Sequence, residues 1–107
     1  PGMAKQMVYT ARNIKADEAL RIGLVNAVYP LAELYTAAEK LASQIAANAP
    51  IAVRAAKKAI NEGLDLPMDE AVVVEEKAFG SCFETADQQE GMGAFLEKRK
   101  HEPFINK

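Results

Sequence analysis

Phe83-Glu84-Thr85-Ala86-Asp87-Gln88-Gln89-Glu90-Gly91-Met92-Gly93-Ala94-Phe95-Leu96-Glu97-Lys98-Arg99-Lys100 joins a capped helix start, two interior glycines, an aromatic residue and a cationic exit in one run. Thr85 followed three residues later by Gln88 matches a capping box, in which two otherwise orphan backbone donors are satisfied reciprocally. Asp87 in the first turn and Lys98, Arg99 and Lys100 in the last complement the helix macrodipole. The apolar stripe of Met92, Phe95 and Leu96 is narrow. Gly91 and Gly93 each weaken a helix by ~1 kcal/mol relative to alanine, so their presence predicts close approach of a backbone or ligand. Pro103 ends any continuation.

Immediately upstream, residues 68–83 set propensity against period. Val72-Val73-Val74 favours a strand locally. On a helical wheel, however, Met68, Ala71, Val72, Val74, Ala78, Phe79 and Cys82 gather on one side, and period decides for a helix. Glu75 then falls in the middle of the apolar face. A carboxylate there must be paired, hydrogen-bonded or protonated. It reads either as a general acid or base or as a structural carboxylate held by a cation such as Lys57 or Arg54. No second carboxylate, histidine or nucleophile stands at a compatible spacing, which favours the structural role.

Further back, Pro50 suits the first turn of a helix running to about Gly63, with Val53, Ala56, Ile60 and Leu64 on one face and small residues beside them. Arg54, Lys57, Lys58, Asn61 and Glu62 occupy the other face, a solvated surface more readily than an anion-binding patch. Leu31, Leu34, Tyr35, Ala38, Leu41, Ala42 and Ile45 form a continuous helical stripe that should stop near Asn48, since Pro50 disfavours helical geometry at Ala49. A second helix is expected around Ala16, Ala19, Leu20 and Leu24, ending near Gly23. The first carries Ala4, Met7, Val8 and Ala11 and ends near Asn13 in the left-handed conformation. The expected fold class is all-α: about six helices, with one short extended segment near 25–29.

At 107 residues the chain is one domain at most, small enough to leave apolar surface near solvent and to need a partner. A 50% hydrophobic and 26% charged composition belongs to globular proteins rather than disordered ones. The net charge of −2 gives nucleic acid or anionic membranes no general reason to bind, although basic residues gather at the C-terminus. No apolar stretch approaches the ~20 residues of a membrane span, and no signal peptide is evident. A single cysteine, Cys82, excludes an intrachain disulfide and suits a reducing, cytoplasmic compartment. The chain opens Pro1-Gly2-Met3, as processing, cloning or excision from something longer would each produce.

Catalytic machinery is hard to find. His101, the one histidine, sits in a charged tail beside Glu102 and Pro103, and Cys82 has no activating base. No phosphate-cradling glycine cluster occurs. Asp69, Glu70, Glu75 and Glu76 lack His or Cys companions and read as helix-face charges, so no metal site is expected.

Three stretches taken together resemble the C-terminal part of the enoyl-CoA hydratase, or crotonase, family. The first runs from Gly2-Met3-Ala4-Lys5-Gln6 through Thr10 and on through Ile14-Lys15-Ala16-Asp17-Glu18-Ala19-Leu20-Arg21-Ile22-Gly23-Leu24-Val25-Asn26. The second is Asn48-Ala49-Pro50-Ile51-Ala52-Val53 with Lys57, Lys58, Ala59 and Ile60. The third runs from Phe79 to Lys100 and is the most particular, being similar to short-chain hydratases and butyrate-pathway crotonases. Lys15 departs from the pattern, standing where many relatives have a capping Asp or Ser.

The resemblance implies that residues 1–107 are the helical oligomerisation and CoA-lid region of a crotonase-like α/β enzyme built on a ββα-spiral core. Its two catalytic glutamates and oxyanion-hole donors would lie upstream, so no catalytic residue is expected in this chain. It implies hydration of a short-chain 2-enoyl-CoA to the 3-hydroxyacyl-CoA, with no cofactor beyond coenzyme A as part of the thioester substrate. A homo-oligomer, trimer or hexamer, is the implied full-length state. Phe95 and Lys98 match family positions near the adenosine end of CoA: an aromatic face can pack on adenine and an ammonium can pair with phosphate. Read on their own, Phe95 is a core anchor and Lys98 a solvated charge at a helix end. The rival reading is a non-catalytic helical self-association module.

Overall fold

Pro50, Pro67 and Thr85 each stand at the start of a helix in the computed structural model, which describes residues 1–107. The six helices are α1 (Gly2–Thr10), α2 (Ala16–Arg21), α3 (Leu31–Ala46), α4 (Pro50–Gly63), α5 (Met68–Cys82) and α6 (Ala86–Glu97), with no strand. Residues 25–29 accordingly pair with nothing as a ladder, and the all-α expectation holds. The chain divides into two units, Pro1–Glu39 and Lys40–Lys107.

In the first unit, α1 ends at Ala11, whose φ of 49° is left-handed, two residues before the expected Asn13. The early turn lets the Arg12 guanidinium grip Glu18 through Nη2 and Nη1, at 2.6 and 3.1 Å. This pair holds the Glu18 carboxyl below its ordinary range, chiefly through the hydrogen bond, and raises Arg12. At the start of α2, Lys15 supplies no side-chain cap, as its departure from the family pattern implies. The other end is well closed: Gly23 is left-handed at φ 73°, Leu24 N–H donates to Ala19 C=O (2.9 Å) and Gly23 N–H to Leu20 C=O (3.1 Å). Those two bonds make a Schellman motif.

In the second unit, α4 and α5 pack directly on each other. A Cβ placed on Gly63 would lie 3.5 Å from Ala71 Cβ, so small residues set how near the two helices come. The valines of α5 stay helical because its other positions supply helical period, overriding their strand propensity. Thr85 caps α6, its hydroxyl accepting Gln88 N–H at 3.1 Å. Only this half of the capping box forms. Thr85 N–H instead donates to Cys82 C=O (3.1 Å) across the short α5–α6 connection.

Few side chains are covered. Ala19 and Ala94 are the buried apolar residues, at 8% and 3% exposure, and Asp87 is the one buried charged residue, at 2%. Large apolar residues from α1 to α6 lie open, among them Leu31, Tyr35, Ile60, Phe79 and Leu96. Expected stripes therefore exist as helix faces without being covered by this chain.

Candidate functional site

The C-terminal end of α6 is built by backbone geometry that its sequence does not advertise. Helical hydrogen bonding stops at Glu97, and Lys98 takes φ 55°, ψ 37°, a left-handed conformation that glycine usually occupies. Arg99 N–H donates to Ala94 C=O (3.0 Å) and Lys98 N–H to Phe95 C=O (3.2 Å), a second Schellman motif. The expected cationic last turn is thus corrected. Lys98, Arg99 and Lys100 lie beyond the helix, because the left-handed residue turns the chain off the axis before they can join it.

Phe95, one turn before this exit, is 78% exposed among residues 1–107. Lys98 is exposed and its ammonium makes no ion pair. The two residues are joined through the backbone bond of the motif. An open aromatic face and an unpaired ammonium on one helix terminus can stack on a planar base and pair with a phosphate.

Arg99, by contrast, is fully engaged. Its Nη1 and Nη2 reach Glu90 Oε1 and Oε2 at 2.6 and 3.1 Å, and its Nε reaches Glu97 Oε2 at 2.6 Å. Glu90 Oε1 also accepts Glu102 N–H at 2.8 Å. The Arg99 hydrogen bond, then the Glu102 amide, hold the Glu90 carboxyl down to about 2, and the two glutamates raise Arg99 in turn.

Beyond this clamp the chain folds back along α6 as a strap. The Asp87 carboxylate accepts Ile105 N–H at 2.7 Å and Asn106 N–H at 2.8 Å, while Asp87 N–H donates to Lys107 C=O at 3.2 Å. Asn106 Oδ1 accepts from Arg54 Nη2 at 2.7 Å, tying the strap to α4. The Phe104 ring lies over Gly91, 3.7 Å from where a Cβ would stand, and stacks on His101 with centroids 4.2 Å apart. The close approach of a backbone or ligand expected at Gly91 and Gly93 is not what these residues meet: Gly91 faces this ring, and a Cβ on Gly93 would stand 3.8 Å from the Arg99 guanidinium, both ordinary side-chain contacts.

Helices α4, α5 and α6 also border an apolar groove of about 920 Å³, whose walls include Ala56, Ala59, Val72, Phe79 and Met92. Glu75 sits on its wall, exposed and without an ion pair, which overturns its expected pairing with Lys57 or Arg54. Arg54 is turned to Asn106 instead, and water reaches Glu75 because no other element covers that face. Cys82 borders the same groove half-buried, its thiol donating to Ala78 C=O at 3.4 Å. Neither Phe95 nor Lys98 lines the groove. The roles of Asp87, Glu90 and Arg99 were not foreseen; the Glu90 to Arg99 pair spans nine residues, outside the helical i+3 and i+4 spacings that signal ion pairs.

An all-helical chain with this α6 exit has a definite affiliation: residues 1–104 match the Enoyl-CoA hydratase/isomerase family, and the chain belongs to it. It is 55% identical over 106 residues to the short-chain-enoyl-CoA hydratase of Clostridium acetobutylicum, covering 99% of this chain and 41% of that protein. Its identity to the crotonyl-CoA hydratase of Syntrophomonas wolfei is 54% over 107 residues, covering 100% and 41%. The crystal structure of enoyl-CoA hydratase from Bacillus anthracis superposes with a TM-score of 0.94 at 39% identity, again covering 100% of this chain and 41% of the other. The chain thus spans about 41% of the length of these relatives.

Proposed function

We propose that the chain is the helical C-terminal region of a short-chain enoyl-CoA hydratase, contributing part of the CoA site and oligomer contacts to an enzyme whose catalytic groups lie outside these residues. The observation that carries this reading is the identity above 50% to two hydratases, named for short-chain enoyl-CoA and crotonyl-CoA, over essentially the whole chain. Phe95 stacks on the adenine and Lys98 pairs with a phosphate of CoA; their exposure, and the lack of a competing ion pair at Lys98, support those roles. Water addition to an enoyl thioester needs no redox or group-transfer cofactor, so CoA enters only as part of the substrate. A free Cys82 fits a reducing, cytoplasmic setting.

Titration with coenzyme A tests the site. The Phe95→Ala, Lys98→Ala double variant should lose most of the binding, and unchanged affinity would remove both residues from the proposal. With crotonyl-CoA the chain alone should give no loss of the enoyl absorbance; turnover would place catalytic groups within residues 1–107. A second reading, self-association without catalysis, is favoured by the open apolar faces of α3 to α6. A sedimentation coefficient independent of concentration and equal to that of a monomer would count against it.

A further inference from the structure

Lys98 adopts a backbone conformation that side chains other than glycine resist, and such conformations persist where the surroundings over-determine them. The surroundings here are specific. Glu97 and Arg99, the residues on either side of Lys98, are bonded to each other through Arg99 Nε and Glu97 Oε2 at 2.6 Å. Arg99 is in turn forked onto Glu90 in the body of α6, and Glu90 accepts the strap amide of Glu102. A planar guanidinium can satisfy two carboxylates at fixed angles in a way an ammonium cannot. These contacts take up both oxygens of Glu90 and Oε2 of Glu97, and the Lys98 ammonium makes no ion pair.

We infer that Arg99, clamped between Glu90 and Glu97, is a positioning residue that fixes Lys98 in its left-handed turn and leaves its ammonium free for an anionic ligand. The inference rests on the proposed contact of Lys98 with coenzyme A. It assigns the most basic side chain of the helix exit to geometry and the neighbouring lysine to recognition.

The two effects of the clamp make a test with opposite signs. Glu90→Ala removes a negative charge bonded to the residue next to Lys98, and simple electrostatics would leave coenzyme A binding equal or tighter. Positioning predicts the reverse. If the left-handed conformer falls to a minor population, apparent affinity weakens by that fraction, about fivefold or more.

The experiment is calorimetric titration of coenzyme A into the 107-residue chain, with helix content followed by circular dichroism and the Lys98 backbone by NMR coupling constants and carbon shifts. The wild type, Lys98→Ala, Glu90→Ala and Arg99→Lys are compared. Arg99→Lys preserves net charge while giving up the fork, so it carries the test should Glu90→Ala lose its fold. Weaker binding in both clamp variants, with Lys98 leaving the left-handed region, is the expected result. Equal or tighter binding in them, while Lys98→Ala weakens it, overturns the positioning role and leaves the contact role intact. Should Lys98→Ala leave affinity unchanged, or coenzyme A not bind, the contact role fails. The Lys98 conformation then decides the clamp alone, and a left-handed Lys98 in the clamp variants overturns it.

Discussion

Lys98 ends α6 in a left-handed backbone conformation, with φ 55° and ψ 37°. A left-handed non-glycine residue carries ~1–2 kcal/mol of steric cost, and glycine recovers that at the expense of ~0.4–1 kcal/mol of unfolded-chain entropy. Lys98→Gly is therefore expected to stabilise the chain by about 0.5–1 kcal/mol, read as a higher urea midpoint, while lowering coenzyme A affinity. A lowered midpoint would mean that the lysine is there for the fold. Glu90 offers the pH counterpart. Its carboxyl is held at about 2 in the folded chain against an ordinary 4.5, so its contribution is complete above the ordinary value and disappears as the pH falls from there towards 2. The Glu102 amide, bonded to Glu90, should accordingly gain solvent exchange across that acid window and stay protected above it. Lys98 also shows what the sequence left hidden. Gly23 advertises its left-handed turn by being glycine, whereas a lysine gives no such signal.

Among the elements, the strap over α6 depends most on one side chain. Asp87 satisfies two strap amides and is almost wholly buried, so Asp87→Ala removes two charge-assisted hydrogen bonds. Residues 105–107 would detach rather than leave those amides unpaired, which limits the loss to about 1.5–3 kcal/mol. Limited trypsin digestion should then release the tail beyond Lys98, Arg99 or Lys100 faster than in the wild type; an unchanged cleavage rate would show that Phe104 and Arg99 hold the strap without Asp87. Such a strap was not legible beforehand, because the Asp87 partners lie eighteen and nineteen residues away and are backbone groups without a side-chain pattern. Local signals fared better. Pro50 at the first turn of α4, Thr85 at the cap of α6 and the helical period beneath Val72 to Val74 each act within one or two turns, and each element forms as expected. Glu75 marks the limit of that approach: a wheel orders residues around a helix but does not say whether another element covers the face.

At the scale of the molecule, the deciding quantity is how little apolar surface the chain covers. Two buried apolar residues in 107 cannot offset the conformational entropy of six ordered helices by themselves. Short helices suffer first, since helices below ~12–15 residues are marginal in water unless packed. α1 and α2, at nine and six residues, fall below that length, whereas α4 and α5, at fourteen and fifteen, reach it and pack on each other. The strap reinforces α6 and ties it to α4 through Arg54 and Asn106. Amide hydrogen exchange on the chain should therefore be ranked, with α1 and α2 exchanging near the unprotected rate and the interior of α4, α5 and α6 slowest. Raising the concentration should extend protection to the faces carrying Leu31, Tyr35 and Ile60 if copies of the chain bury them against one another. Uniform protection from α1 to α6 in dilute solution would contradict this ranking and require the short helices to be held by more than the contacts described.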